Sequence, residues 1–171
     1  MLAGTMSKKS PRKSIDHGLD RTDKRILREL QANGRMSNVE LARRVQLSAT
    51  PCLERVRRLE QSGYIRDYVA VIDPHRIEAT LLLYVEVTLE RTTPDVFERF
   101  KAAIVAHPEV LECHMVAGGF DYLVKVRVPD MQAYRHFLGE GLTAAPGVRE
   151  THTYVVMEEI KETTALDIRD D

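Results

Sequence analysis

Between Leu47 and Ile65 the chain reads LSATPCLERVRRLEQSGYI. Short hydroxyl side chains, Ser48 and Thr50, stand at its head, and Arg55, Arg57 and Arg58 fall within four positions. Hydroxyls both donate and accept hydrogen bonds, and the planar arginine fork donates two in parallel. Such a set suits a polyanion that also carries hydrogen-bonding edges, as DNA does: arginine matches guanine O6 and N7, while further cations hold phosphates. Asn38, Arg43 and Arg44 lie just upstream. A solvated helix face with Glu54 paired to Arg58 at i,i+4 would use the same residue types, for a gain of only about 0.2–0.5 kcal/mol.

The elements that must hold these residues are legible. Ser48 is a good N-cap, and Pro51 falls in the first turn, where its missing N–H costs no hydrogen bond. Ala49, Cys52, Leu53, Val56 and Leu59 lie within an arc of about 120° of that helix. Thr50, Pro51, Glu54, Arg57 and Arg58 face the other way, with Arg55 at the border, and Gly63 ends the helix. Upstream, Asp20 caps a helix whose Ile26, Leu27 and Leu30 continue a stripe begun by Leu19, and Asn33-Gly34 stops it. In S-N-V-E, Ser37 and Glu40 have capping-box spacing, opening a short helix that turns Val39, Leu41, Ala42 and Val45 inward. Three helices, the last two joined by a tight turn at Gln46-Leu47, make a helix-turn-helix pattern. Its third helix would lie in the major groove with Ser48, Thr50 and Arg55 near base edges and Arg43, Arg44, Arg57 and Arg58 towards phosphates, Asn38 and Pro51 completing the set expected on DNA.

The formal net charge of −1 hides a split: residues 1–65 carry +7 and residues 66–171 carry −8. The asymmetry points to two domains, the basic one facing a polyanion. Residues 1–18 are expected to be a disordered basic arm, 19–64 the helix-turn-helix unit, 65–78 a strand linker (IRDYVAVID) and 164–171 a tail. Between them, 79–163 alternates strand and helix patterns: TLLLYVEVTL with Leu81, Leu83, Val85, Val87 and Leu89 on one face, TPDVFERFKAAIVAH, VLECHMVAG, DYLVKVRV, DMQAYRHFLGEGL and VRETHTYVVMEEI. The order βαββαβ is that of a ferredoxin-like domain, so the fold class is α+β.

Other chemistry finds little support. The six histidines show no metal-binding or zincin spacing, the two cysteines suggest neither disulfide nor zinc, and no P-loop or nucleophile elbow occurs. No run is long and apolar enough for a membrane span, and the basic start lacks the apolar core of a secretory signal. Gly118 and Gly119 in AGGFDYL fit either an ordinary turn or a backbone that closely approaches a small ligand, whose ammonium group Asp121 could accept.

LDRTDKRIL, SNVELARRV, LSATPCLERVRRLEQSGYI, TPDVFE, GGFDYLVKVRVPD and PGVRETHTYVVMEE together resemble the Lrp/AsnC family of transcription regulators, from Leu19 to Thr163. The resemblance implies a winged helix-turn-helix unit on double-stranded promoter DNA and a RAM-type ferredoxin-like domain that dimerises and senses an amino acid, leucine being the type case. It implies no cofactor and no catalytic residue, homodimers assembled into octamers or similar rings, and a bacterial cytoplasmic, nucleoid-associated setting. The positions matching the family's effector site are Gly118, Gly119, Asp121, Tyr122, Met131, Tyr154, Val155 and Val156. Two other readings share the fold: a sirohaem-decarboxylase-like enzyme using histidines, against which the arginine-rich helix argues, and a DNA-architectural protein without an effector.

Overall fold

The computed structural model describes residues 18–170. The basic arm expected over 1–18 lies outside these, but for Gly18, as does Asp171. Contacts divide the chain after Ala70 and again after Glu162: Val71–Glu162 form one unit, and the residues before and after it form the other.

In the first unit, α1 (Arg21–Ala32), α2 (Asn38–Arg44) and α3 (Ala49–Gln61) pack through Ile26, Leu27, Leu41, Ala42, Val45, Cys52 and Leu59. Each helix begins at the cap its sequence calls for. Asp20 accepts from the Asp23 N–H at 2.7 Å and Asp23 accepts in return from the Asp20 N–H, a complete capping box. At α2 only half of the expected box forms: Ser37 Oγ accepts from the Glu40 N–H at 3.2 Å, while the Glu40 carboxylate turns to Arg43 and Arg44. Ser48 has the extended backbone of an N-cap, with no side-chain cap bond. Val39 and Ala49, expected to face inward, are exposed, because the three-helix core closes on Leu41, Ala42 and Val45 without them.

The turn between α2 and α3 passes through Gln46 at φ 61°, the left-handed region. A side chain there costs about 1–2 kcal/mol, part of which glycine's greater backbone freedom when unfolded offsets. Gln46→Gly should therefore stabilise the unit by about 0.5–1 kcal/mol, read as a higher midpoint in thermal unfolding. An unchanged or lower midpoint would show that the glutamine side chain contributes something its exposed position conceals.

Residues 65–73, expected as strand, form none: the segment has β-branched side chains but no ladder partner among the described residues, and Val69, Val71 and Ile72 are left exposed. A short 3₁₀ turn, Pro74–Ile77, follows.

In the second unit, β1 (Leu81–Leu89), α4 (Pro94–Ile104), β2 (Val110–Met115), β3 (Tyr122–Val128), α5 (Met131–His136) and β4 (Val148–Val155) give an antiparallel sheet in the order β2-β3-β1-β4. That is the ferredoxin-like topology. Period-2 alternation turns Leu83, Val85 and Val87 of β1 and Tyr122, Val124, Val126 and Val128 of β3 into a core with Phe100, Ile104, Tyr134 and Phe137. The expected second helix is α-helical only to His136 and continues through Leu142 as a wider π turn, in which the Thr143 N–H reaches back to the Leu138 carbonyl.

Candidate nucleic-acid interface and effector surface

The helix-turn-helix unit does not present its arginines equally. At the junction of α1 and α3, Asp23 is fully buried. Its carboxylate accepts from Arg55 Nη1 at 2.8 Å and from Arg58 Nη2 at 2.5 Å, and Arg55 Nη1 also reaches Asp20 at 2.5 Å. These pairs join residues more than 30 positions apart and tie the recognition helix to the cap of α1. Desolvation opposes ionisation of Asp20, yet the Asp23 N–H and the Arg55 guanidinium hold its carboxyl below the usual range. The sequence suggested that Arg55 faces a base and Arg58 a phosphate, the rival reading being a solvated helix face with Glu54 paired to Arg58. In the folded unit Arg58 takes Asp23 instead of Glu54, and both arginines are occupied within the protein.

On α2, Glu40 is bonded by Arg43 Nε and Nη2 and by Arg44 Nε, and Arg44 also reaches Glu29. Hydrogen bonds from Arg43 and then Arg44 bring the Glu40 carboxyl down to about 2 from its ordinary 4.5. A depressed carboxylate stabilises the fold above its unfolded value and loses that contribution as pH falls through the folded one. The α2 ion pairs should thus persist through pH 4 and break only towards pH 2. A side-chain carboxyl titration by NMR with a Glu40 midpoint near 4.5 would contradict this. Arg25 caps the C-terminus of α2 through the Arg44 carbonyl, at 2.8 Å.

Asn38, grouped with the DNA contacts in the sequence, acts as a strut: its Nδ2 donates to the Ala49 carbonyl at 2.8 Å, linking α2 to the start of α3. Ser48 and, on α3, Ala49, Thr50, Pro51, Glu54, Arg57 and Arg58 are among the residues exposed to solvent. Among the described residues Arg57 has no ion pair or hydrogen bond, so it is the recognition-helix arginine whose fork is available.

The second unit distributes the candidate effector residues over two ends of its sheet. Gly118, Gly119 and Asp121 lie in the β2–β3 loop, beside Val87 of β1, whose main-chain oxygen accepts from the Asp121 N–H. The Asp121 carboxylate accepts from the Leu89 N–H at 2.7 Å, so it braces the loop against β1. Tyr122 points into the core, 2% exposed, against Phe100 and Phe97 with ring centroids 4.6 and 6.1 Å away. Among the described residues its hydroxyl finds no partner. Tyr154 and Val155 pair with Tyr84 and Leu83 at the other end of β1, where the Val156 N–H donates to the Leu82 carbonyl and where Met131 opens α5. Met131, Tyr154 and Val155 are each about half exposed. Four residues of strand, about 13 Å, separate Val87 from Leu83. Within one chain the two groups are not brought together.

Comparison with known proteins now decides the class. The chain matches the Lrp/AsnC ligand binding domain over residues 82–166 and a winged helix-turn-helix DNA-binding domain over residues 19–66. It is 58% identical to the leucine-responsive regulatory proteins of Salmonella typhimurium and Escherichia coli K12 over 163 residues, covering 95% of this chain and 97% of theirs. The chain belongs to the Lrp/AsnC family. Solved structures agree: the transcriptional regulator–L-Met complex from Neisseria meningitidis is 41% identical with a TM-score of 0.84, covering 88% of this chain and 97% of its own. An AsnC family regulator from Agrobacterium tumefaciens is 35% identical with a TM-score of 0.83, covering 87% and 97%. This Lrp/AsnC chain is therefore a transcription regulator with a DNA-binding and a ligand-binding domain, and the decarboxylase reading falls away with the family assignment. Among the described residues no cluster could hold a metal ion, and no helix is long and apolar enough to cross a membrane.

Proposed function

We propose that the chain is a leucine-responsive regulator that binds promoter DNA sequence-specifically as a homo-oligomer in the bacterial cytoplasm, on the nucleoid. The observation that carries this reading is the 58% identity to leucine-responsive regulatory proteins over nearly the whole chain. It is supported by a recognition helix that leaves Thr50 and Arg57 open to solvent. Arg57 reads a base edge, with Ser48, Thr50 and Pro51 alongside. Arg43, still 72% exposed beside Glu40, exchanges that carboxylate for a phosphate, with Arg44 as a weaker second. A dimer would read two half-sites.

Arg57→Ala should reduce affinity for a specific duplex by about 1–3 kcal/mol, roughly 10- to 100-fold in a gel shift, without moving the unfolding midpoint. Equal loss on random DNA would make Arg57 a phosphate contact only.

For the effector, the glycine loop is informative. Neither Gly118 nor Gly119 has positive φ, and a Cβ on either would meet nothing within 4 Å. The chain's own fold therefore does not require glycine at either place, and an external group approaching the backbone gives a reason for both. Because the loop and the Tyr154–Val156 edge lie at opposite ends of the sheet, a single amino acid touches both only if they come from different copies, as in a ring of dimers such as an octamer. The α-ammonium and carboxylate meet the loop around Asp121, and the apolar side chain meets Met131, Tyr154, Val155 or Val156. Tyr122 supports the loop from beneath. Isothermal titration with leucine and methionine tests this: heat for wild type and at least a tenfold weaker response for Gly119→Val are expected. Silence towards every amino acid would favour an architectural protein.

A further inference from the structure

The last residues of the chain, which in sequence read as a plain tail, are bonded to the DNA-binding unit. The side-chain amide of Gln31, near the end of α1, donates to the Leu166 carbonyl at 3.0 Å and accepts from the Leu166 N–H at 2.7 Å, imitating one rung of a β-ladder. One turn back on α1, Arg28 Nε donates to the Ile168 carbonyl at 2.8 Å, and its Nη2 pairs with Asp170. Ile168 itself packs against the three-helix core. The Arg28 guanidinium, with Lys24 and Arg21 nearby, holds the Asp170 carboxyl below its ordinary range. Two backbone residues, one apolar anchor and one ion pair thus fix this segment, where a solvated terminus would have none.

The other end of the same segment is fixed too. Glu159 is gripped by Arg127 of β3, whose Nη2 lies 2.8 Å from both carboxylate oxygens, and the Arg127 side chain is only 8% exposed. Val156, the end of the effector edge, is bonded to Leu82. From Glu159 to Leu166 is seven residue steps, which span at most about 25 Å fully extended. The chain's first passage between the units takes more residues: Tyr68 is held to Glu60, Thr80 to Pro129, and twelve steps lie between, part of them folded into the 3₁₀ turn at Pro74–Ile77. The C-terminal passage is therefore the shorter of the two straps, and it starts where β4 ends.

We propose that Leu166–Asp170 form a clasp on α1 through which the effector signal reaches the DNA-binding unit. The inference rests on the amino-acid-responsive reading given above. A ligand bound at Tyr154–Val156 shifts DNA affinity only if it favours one arrangement of the DNA-binding unit over another, and a short strap pinned at both ends links the two choices. A long or unpinned one would leave them independent.

The test uses the full chain with Arg28→Ala and Gln31→Ala combined; neither residue belongs to the proposed DNA-contact set. A second variant ends the chain after Thr163. Affinity for a duplex that wild type selects from random DNA is measured with and without saturating leucine. The calorimetric leucine affinity, with and without that duplex, reads the same coupling in reverse, since linkage makes the two factors equal. Both variants should bind leucine alone, and DNA alone, within about threefold of wild type, while the leucine-induced change in DNA affinity collapses to less than twofold. Retention of the wild-type factor by both variants overturns the clasp and leaves the regulator reading intact. Absence of any leucine effect in wild type overturns that reading itself, and with it the signal the clasp would carry.

Discussion

Asp23→Ala should lower the stability of the DNA-binding unit by about 2–4 kcal/mol. The carboxylate is fully buried, closes the α1 capping box and receives two guanidinium groups. Removing it leaves Arg55 and Arg58 without their shared acceptor and the Asp20 N–H without its partner. The arginines keep partial access to water, at 32% and 44% side-chain exposure, which keeps the cost below that of a fully buried pair. Asp23→Asn should cost less but not restore the wild type, since one neutral amide cannot satisfy two cations. Arg55→Ala should act in the same direction, lowering the unfolding midpoint more than base discrimination. In a double-mutant cycle, Asp23 and Arg55 should couple by at least about 0.5 kcal/mol. Additive effects, or an unchanged midpoint in Asp23→Ala, would mean that the α1–α3 junction is held by apolar packing alone.

The second large effect is expected in the sensing domain. Gly147 sits at φ 80°, just before β4, and a Cβ there would lie 2.5 Å from Val96 Cγ1. Its carbonyl accepts from the Glu90 N–H at 2.8 Å, beside the bulge at Thr88/Leu89 that sets the β1–β4 register. A methyl group would meet both an unfavourable left-handed backbone conformation and a branched neighbour anchored in the core. Gly147→Ala should destabilise this domain by about 2–4 kcal/mol. Because β4 carries Tyr154 and Val155, a shifted register would also weaken effector binding. Gly119→Ala makes the control: with open space around it, a change within about 0.5 kcal/mol is expected. Similar midpoints for the two alanine variants, in denaturant or thermal unfolding, would show that Val96 and α4 yield to the added methyl.

Much of this architecture could be read from local signals. Asp20, Ser37 and Pro51 mark helix starts, the Cys52–Val56–Leu59 stripe marks the buried face of α3, and alternation in LLLYVEVTL and YLVKVRV marks the central strands. These depend on neighbours three or four residues away, or two in a strand, so the sequence carries them. Tertiary partners were not legible. Arg55 and Arg58 looked like DNA ligands because nothing within a helical turn of them is Asp23. Asp23 has the position of an ordinary first-turn acid, which the helix dipole favours whatever else it touches. Tyr122 alternates correctly, and that same alternation places it inside, beneath the loop whose surface it was expected to share. The 65–73 segment has strand-like residues, but a strand also needs a partner, and none is found among the described residues. Leu166 and Ile168 are too few to show a periodicity, so their attachment to α1 left no pattern to find.

The carboxylate pairing of the arginines has a consequence for ions in solution. Counterion release on DNA scales with the phosphates a protein neutralises, at a slope of about −0.9 per contact. Arg43, Arg44, Arg55 and Arg58 already have carboxylate partners, so moving one onto a phosphate exchanges one anion for another and exposes a glutamate or aspartate close to the duplex. The +7 of the first 65 residues already nets out these carboxylates, but the paired arginines release fewer counterions on DNA than free ones would. Binding that draws less on long-range attraction is also less eroded by salt, so occupancy of a site follows shape and base edges more than ionic strength.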